Sequence, residues 1–313
     1  MPAIILTREL RRDFKKVTAV DGLSLEIQRG ELFGLVGPDG AGKTTLLRLL
    51  AGLLDISAGE AQVAGFDLKT QAEAVKARIG YMAQRFSLYA QLSVVENLTF
   101  FAEIYDVPPL ERQARMERLL QFAALSEFRH RRAAHLSGGM QKKLALACSL
   151  IHQPEILLLD EPTTGVDPIS RREFWDILTE LHTQGTTIVI STPYMDEADR
   201  CSRVGLMYRG RLVACDTPQA LRNSLGAEVI EILPADWRAA RHLLASLEGV
   251  REVQTYGEAL HILVDNAAER MAQIADALEA QDIAYRGLRR TTPRMEQTFI
   301  SLIRRLESES TSS

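Results

Sequence analysis

The sequence LFGLVGPDGAGKTT occupies residues 32 to 45 and joins a short apolar run to a glycine-rich loop that ends in lysine and two threonines. The run Leu32–Val36 has the length and composition of a strand buried on both faces. The apolar segment Leu46–Leu50 follows the loop and predicts a helix. A strand, a glycine-rich loop and a helix in this order predict an α/β domain with a largely parallel sheet.

The loop matches the phosphate-binding pattern GxxxxGK followed by threonine. Glycines let backbone N–H groups converge on phosphate oxygens, and the N-terminus of the next helix adds positive potential. Lys43 is placed to contact the β- and γ-phosphates, and the Thr44 hydroxyl to ligate Mg²⁺. The alternative is a glycine-rich turn before a structural helix, but a chance match in a chain of this length occurs about once in a hundred. The loop therefore predicts ATP or GTP binding. The predicted nucleotide-binding residues are Gly37, Asp39, Gly40, Ala41, Gly42, Lys43, Thr44 and Thr45.

Two acids follow a second apolar run. Asp160 and Glu161 come directly after Ile156–Leu159, at what is expected to be the carboxyl end of a buried strand. Ligands of open α/β sheets bind at that edge. Asp160 is suited to hold Mg²⁺, and Glu161 to polarise the attacking water. Taken alone, such a pair fits a surface turn better, but beside a phosphate-binding loop it predicts the second anchor of the metal.

Composition limits the function classes. The 313 residues are 46% hydrophobic and 25% charged, which is typical of a globular protein with one large and one small domain. The net charge of −4 gives no cationic field, so no nucleic-acid partner is expected. The three cysteines are far apart and indicate reduced thiols of a cytosolic protein. No run approaches the length of a membrane span, so a membrane role requires another chain.

The chain divides into two predicted domains. Residues 1–222 alternate apolar runs with helical patterns, and a helical insert is expected at about residues 85–150. Residues 227–313 form a small α+β accessory domain, whose order β-α-β-β-α-β is that of a ferredoxin-like fold. Its predicted strands are residues 228–233, 250–256, 260–264 and 283–288, and its predicted helices are residues 237–247, 269–279 and 295–306.

The segment LSGGMQ at residues 136–141 resembles the LSGGQ signature of the ATP-binding cassette (ABC) ATPases, with Met140 in the place of the usual glutamine. Ser137, Gly138 and Gly139 precede a predicted helix, and a helix N-terminus suits a γ-phosphate. The resemblance covers residues 1 to about 220. It implies an ABC cassette of the P-loop NTPase fold, with an N-terminal antiparallel β region before the largely parallel sheet.

Further residues take roles only through this resemblance. Phe14 is similar to the aromatic residue that stacks on adenine, although an exposed phenylalanine in a hairpin is an equal alternative. Gln84 resembles the glutamine that contacts Mg²⁺ at the hinge to the helical insert, and it joins Glu161 as a catalytic residue. Residues 164–167 resemble the loop that crosses to the partner subunit. The implied Mg²⁺ ligands are Thr44, Gln84 and Asp160.

Two further positions depart from the family pattern. Asp39 stands where asparagine or serine is common, and we expect weaker nucleotide binding at most, because the loop amides and Lys43 outweigh one carboxylate. Pro193 stands where the family has a histidine that contacts the γ-phosphate. Proline has neither a side-chain donor nor an N–H group. An intact ATP-binding site with impaired hydrolysis is therefore expected.

The resemblance is greatest to nucleotide-binding subunits of type-2 ABC exporters of drugs, lipids and polysaccharides. It implies an ATPase that uses ATP and Mg²⁺ at the cytoplasmic face of the inner membrane, as a peripheral subunit. The implied partners are a second cassette, from the same or a different chain, and integral-membrane permease subunits. One alternative is a soluble ABC ATPase that acts on ribosomes or DNA, which the acidic composition disfavours. The other is a regulatory cassette that binds ATP with little hydrolysis.

Overall fold

The computed structural model describes residues 3–85 and 88–311, with the side chains of residues 308–311 excepted. Residues 86 and 87, at the predicted start of the helical insert, and residues 312 and 313, at the end of the predicted accessory domain, lie outside the described residues. The chain forms two compact units, Met1–Pro218 and Gln219–Ser313. The division falls a few residues before the predicted domain end at residue 222.

The first unit contains two sheets and the helices that follow their strands. A four-stranded antiparallel sheet has the order β2-β1-β4-β5, and a six-stranded sheet has the order β10-β9-β3-β8-β7-β6. All neighbours in the larger sheet are parallel except β9 and β10. The elements are β1 (Ala3–Phe14), β2 (Val17–Gln28), β3 (Leu32–Val36), α1 (Lys43–Leu50), β4 (Ala58–Val63), β5 (Phe66–Asp67), α2 (Ala72–Lys76), β6 (Ile79–Met82), α3 (Val94–Ile104), α4 (Pro109–Phe122), 3-10 turns at Ser126–Phe128 and Ala133–His135, α5 (Gly138–Leu150), β7 (Ile156–Asp160), α6 (Pro168–Thr183), β8 (Thr187–Thr192), α7 (Met195–Ala198), β9 (Arg203–Tyr208) and β10 (Arg211–Asp216).

The larger sheet brings distant parts of the chain to one edge. Every residue of β3, β7 and β8 is buried, which explains their continuous apolar sequences. In the parallel register Val36 pairs with Thr192, and Asp160 pairs with Ser191. The carboxyl ends of these three strands therefore lie side by side, and the segments that follow them share one site.

The predicted helical insert is observed as α3, α4 and α5. Helix α3 begins with a capping box, in which the Ser93 side chain accepts from Glu96 N and the Glu96 side chain accepts from Ser93 N. The three helices enclose their own apolar cluster, which includes Leu98, Leu120 and Leu144. Within residues 3–85 and 88–311, none of the helices is both long enough and apolar enough to span a membrane.

The second unit has the β-α-β-β-α-β order that the sequence predicted. Its antiparallel sheet has the order β12-β13-β11-β14. The remaining elements of the chain are α8 (Pro218–Asn223), β11 (Glu228–Pro234), α9 (Trp237–Leu244), β12 (Val250–Tyr256), β13 (Ala259–Val264), α10 (Ala267–Glu279), β14 (Tyr285–Thr291) and α11 (Met295–Thr311).

Several predicted boundaries in this unit were wrong, including the end of the last strand, which is Thr291 instead of residue 288. The last strand begins at Tyr285 instead of residue 283, because Asp282 adopts a positive φ of 52° and Ile283 N donates to Leu278 O, which closes α10. Helix α9 ends at Leu244, three residues before the predicted end at 247. Helix α11 continues past residue 306 to Thr311.

Candidate functional site

The phosphate-binding loop connects β3 to α1. Gly40 and Gly42 have φ values of +77° and +104°. A Cβ atom on Gly42 would lie 2.3 Å from Ala19 O, so side chains are excluded there by space as well as by backbone conformation. Lys43 is only 4% exposed, and its Nζ donates to Gly37 O at 2.7 Å and to Pro38 O at 3.0 Å. The ammonium is therefore held over the loop where phosphates are expected.

The turn between β9 and β10 supports this loop. Gly210 N donates to Ala41 O at 2.9 Å, and Asp21 N donates to Gly210 O at 2.9 Å. Together these segments enclose a cavity of about 620 Å³. Its lining includes the loop from Asp39 to Thr45, together with Val17, Thr18, Ala19, Gln84, Glu161, Arg209 and Gly210. Sequence reasoning missed the β2 and β9–β10 residues. The Arg209-Gly210 dipeptide indicates a hairpin turn, but it does not indicate which loop the turn faces.

Asp160 is fully buried at the end of β7. Its Oδ1 accepts from Thr44 Oγ1 at 3.0 Å and from Ser191 Oγ at 2.8 Å. Its Oδ2 is buried and finds no hydrogen-bond partner among the described residues. A buried carboxylate oxygen without a donor is costly unless a cation or water satisfies it. Asp160 and Thr44 therefore provide adjacent oxygen atoms that fit Mg²⁺.

Glu161 lies next to the lysine of the loop. Its Oε2 accepts from Gln84 Nε2 at 2.7 Å, and its Oε1 is 3.5 Å from Lys43 Nζ. The Glu161 backbone has a positive φ of 45°, which is costly for a residue with a side chain. Glu161 N donates to Ser191 Oγ at 3.0 Å, so Ser191 holds this conformation and also binds Asp160. The sequence reasoning did not identify Ser191, because only the sheet register brings it to the carboxylates.

The predicted signature residues lie outside this cavity. Ser137 caps α5 by accepting from Met140 N at 3.3 Å, and both Ser137 and Gly138 are exposed. Gly139 is buried, and a Cβ atom there would lie 2.5 Å from the Ser170 side chain at the start of α6. The exposed helix N-terminus thus lies outside the cavity that the chain's own phosphate-binding loop lines.

Phe14 is 40% exposed at the end of β1, with the Arg12 guanidinium 4.7 Å from its ring centroid. It is not among the described residues that line the cavity, whereas Val17 to Ala19 of the adjoining strand are. Both interpretations of Phe14, the adenine contact and the exposed hairpin residue, remain compatible with this position.

The sequence profile of the family described as ABC transporter matches residues 20–164. The chain is 36% identical to the Nod factor export ATP-binding protein I of Ralstonia nicotianae over 303 residues, which is 96% of this chain and 93% of that protein. This chain belongs to the ABC transporter ATP-binding proteins. It is also 42% identical over 219 residues to the probable multidrug ABC transporter ATP-binding protein YbhF of Escherichia coli, covering 70% of this chain and 38% of that protein. The chain therefore spans less than half the length of YbhF.

The fold agrees with that of solved ABC cassettes. The cassette MJ0796, in a dimeric post-hydrolysis state bound to ADP and Pi, superposes with a TM-score of 0.63 and 25% identity, over 68% of this chain and 98% of that one. The matched part corresponds in size to the first unit, Met1–Pro218. The two-sheet architecture with a helical insert is thus the ABC ATPase fold.

In this ABC cassette, Pro193 directly follows β8, and Tyr194 N donates to Thr192 Oγ1 at 3.0 Å. The next helix, α7, carries the buried Glu197. Glu197 Oε1 accepts from Thr163 Oγ1 at 2.8 Å, Arg171 Nε at 2.7 Å and Trp175 Nε1 at 3.0 Å. This network fixes the segment after Pro193 against α6.

Residues 164–167, the predicted partner-crossing loop, end at Asp167. The Asp167 side chain caps α6 by accepting from Ile169 N and Ser170 N, and these hydrogen bonds lower the pKa of the carboxyl group. The loop is thus fixed at one end by α6 and at the other by the Glu161 and Thr163 contacts.

Proposed function

We propose that this chain is the ATP-hydrolysing subunit of an ABC exporter. One observation carries the proposal: Lys43, Thr44, Gln84, Asp160 and Glu161 converge at one edge of the sheet, through the contacts given above. A cation for the phosphates, oxygen ligands for a metal and a carboxylate for the water are the parts that phosphoryl transfer requires.

Each residue has a separate role in the proposed reaction. The loop amides and Lys43 bind the phosphates of ATP, and Thr44 and Asp160 would hold Mg²⁺, which would supply positive charge to the phosphates. Glu161 accepts a hydrogen bond from the attacking water and orients it toward the γ-phosphate. Gln84, which donates to Glu161, keeps that carboxylate in place and is the third proposed ligand of the metal.

The proposed working unit is a pair of cassettes on a separate membrane permease. Ser137 and Gly138 are exposed at a helix N-terminus and lie outside the chain's own cavity, so they are available to the γ-phosphate bound by a second cassette. The dimeric state of MJ0796 supports this arrangement, as do the names of two relatives, a Nod factor export protein and a probable multidrug ABC transporter protein. The chain would then bind peripherally to the cytoplasmic face of the membrane.

A second candidate function is that of a regulatory cassette, which closes on ATP and hydrolyses it slowly. Pro193 favours it, because this residue offers no side-chain donor at the position where the family resemblance implies a histidine. The two functions are compatible if the partner cassette is a different chain with a complete site.

The exchange Glu161→Gln tests the proposed catalytic role. It should keep ATP affinity, abolish most turnover and prolong the ATP-bound dimer, because the amide still fills the site but cannot accept the proton from water. The matched control is Glu155→Gln, since Glu155 lies just before β7, at the opposite edge of the sheet, and pairs with Arg29 and Arg78. Isothermal titration and phosphate release would be measured for both variants. Parental turnover in Glu161→Gln would contradict the assignment.

A further inference from the structure

Lys142 connects the signature helix to the catalytic residues of the same chain. It lies on α5, the helix that Ser137 caps, and its Nζ donates to the main-chain oxygen of Gln84 at 2.8 Å. The side chain of Gln84 donates in turn to Glu161 Oε2 at 2.7 Å. A continuous series of contacts thus runs from α5 through Lys142 and Gln84 to Glu161.

The environment of Lys142 differs from that of an ordinary surface lysine. Its side chain is half-buried, and burial lowers the pKa of the ammonium group, while the nearby charges of Asp160 and Glu161 oppose that shift. Partial desolvation of a cation is unfavourable unless a hydrogen bond or an opposite charge compensates for it. The Gln84 carbonyl and the two carboxylates provide that compensation, so the position of the ammonium is defined.

The neighbouring polar residues of α5 make different contacts. Gln141 Nε2 donates to Ala133 O at 3.1 Å, within the helical insert, and Lys143 Nζ pairs with Glu173 on α6 at 2.6 Å. Lys143 therefore contributes to helix packing, whereas the contact of Lys142 reaches the segment that carries Gln84.

We propose that Lys142 is a positioning residue for ATP hydrolysis, which fixes the main chain of Gln84 so that the Gln84 amide stays against Glu161. The inference rests on the proposed roles of Glu161 and Gln84. Lys142 also joins the catalytic carboxylate of its own cassette to the helix that presents Ser137 to the second cassette. A displacement of that helix on dimer closure would therefore be transmitted to Gln84 through the Lys142 ammonium group.

The test uses the full chain and the variants Lys142→Met, Lys142→Arg and Lys143→Met. Single-turnover hydrolysis of ATP with protein in excess would be measured together with ATP affinity, so that a slow steady state does not mask the effect. Lys142→Met should lower the hydrolysis rate roughly tenfold, because a hydrogen bond to a charged group is lost, and should change ATP affinity less than about twofold. Lys142→Arg, which keeps the charge and the donor, should retain most of the rate.

Lys143→Met is the matched control, because it removes the adjacent ammonium group and its contact with α6. It should hydrolyse ATP at close to the parental rate, even if its thermal stability falls. Parental hydrolysis by Lys142→Met would overturn the inference, and so would equal losses in the two methionine variants, since those would indicate a general effect on α5. If Lys142→Met does not fold, Lys142→Leu, which also lacks a donor, carries the same expectation.

Measuring Glu161→Gln in parallel separates this inference from the proposed function. Loss of turnover in Glu161→Gln together with parental turnover in Lys142→Met would remove only the role of Lys142. Parental turnover in Glu161→Gln would remove the site assignment on which that role depends.

Discussion

At the scale of single residues, Pro193 stands at the position where the sequence resemblance implies a histidine. A histidine there would supply a charge-assisted hydrogen bond to the γ-phosphate, and such bonds contribute about 1.5–3 kcal/mol. We therefore expect the purified chain to bind ATP well and to hydrolyse it roughly 10- to 100-fold more slowly than a complete site.

The ATPase rate of the isolated chain at saturating Mg-ATP is the measurement that decides this prediction. A rate on the order of 1 per second or more would show that Pro193 does not impair the site. Pro193→His should raise the ATPase rate, provided that the loop can place the histidine side chain against the γ-phosphate. Proline restricts the residue before it as well, and the hydrogen bond from Tyr194 N to Thr192 Oγ1 fixes the present conformation, so the wild-type rate is the primary criterion.

The residues that could be predicted from the sequence are those whose role depends on local spacing. Lys43 and Thr44 follow from one loop, and Asp160 and Glu161 follow from the end of one strand. Ser191 and Ala19 could not be predicted, because they reach the site through sheet register and through the approach of β2 to Gly42. A single sequence carries no information on such contacts between distant segments.

At the scale of elements, helix α11 is attached to the sheet of the second unit by a buried histidine. His261 is 1% exposed, its Nε2 lies 3.1 Å from Glu231 Oε2, and its Nδ1 lies 3.1 Å from Gln297 Nε2. Gln297 Oε1 accepts from Arg294 N at 2.8 Å, which leaves its amide nitrogen as a donor toward the ring. His261 Nδ1 must then accept, so the contact requires a neutral imidazole.

The second unit should consequently lose stability as the pH falls. Burial lowers the pKa of His261 below its usual value of 6.5, with the hydrogen bond to Glu231 opposing the shift. Below pH 6.5 the unfolded chain binds a proton that the folded chain excludes, so the free energy of unfolding decreases as the pH falls from 6.5 through the folded pKa. The hydrogen bond from Arg289 lowers the pKa of Glu231 below its usual value of 4.5, so Glu231 stays charged between pH 7.5 and 5.5.

Hydrogen exchange of the α11 amides between pH 7.5 and 5.5, corrected for intrinsic rates, would measure this effect. In the parent, protection of the α11 amides should decrease as the pH is lowered. In His261→Gln it should stay nearly constant, because the glutamine side chain is neutral at every pH. His242→Gln, an exposed change on α9 of the same unit, is the control and should behave like the parent. Equal pH dependence in parent and His261→Gln would contradict the prediction.

Element order in the second unit could be predicted because alternating apolar residues mark its strands and apolar residues three to four positions apart mark its helices. The role of α11 could not, since His261 and Gln297 are distant in sequence and neither lies in a recognisable motif. Similarly, β14 begins two residues later than predicted because Asp282 has a positive φ. A non-glycine residue adopts this conformation only in its tertiary context.

At the scale of the whole molecule, the chain has one phosphate-binding loop and one signature loop, and the two do not share the cavity. Under the proposed function, a complete pair of sites requires a second cassette. The residues of the proposed site all lie in the first unit, whereas the second unit contributes none of them. We propose that the second unit serves association with the partner cassette or the permease.

A chain shortened to end at Pro218 tests this division. The first unit has its own apolar core, and its elements are complete without the second unit, so the shortened chain should fold and bind ATP with near-parental affinity. Its self-association in Mg-ATP should be weaker. The two chain lengths are compared in the Glu161→Gln background, where the ATP-bound dimer is expected to persist. Sedimentation then reports association without hydrolysis. Loss of ATP binding in a folded short chain would show that the second unit supports the nucleotide site. Unchanged association would show that the first unit alone forms the dimer.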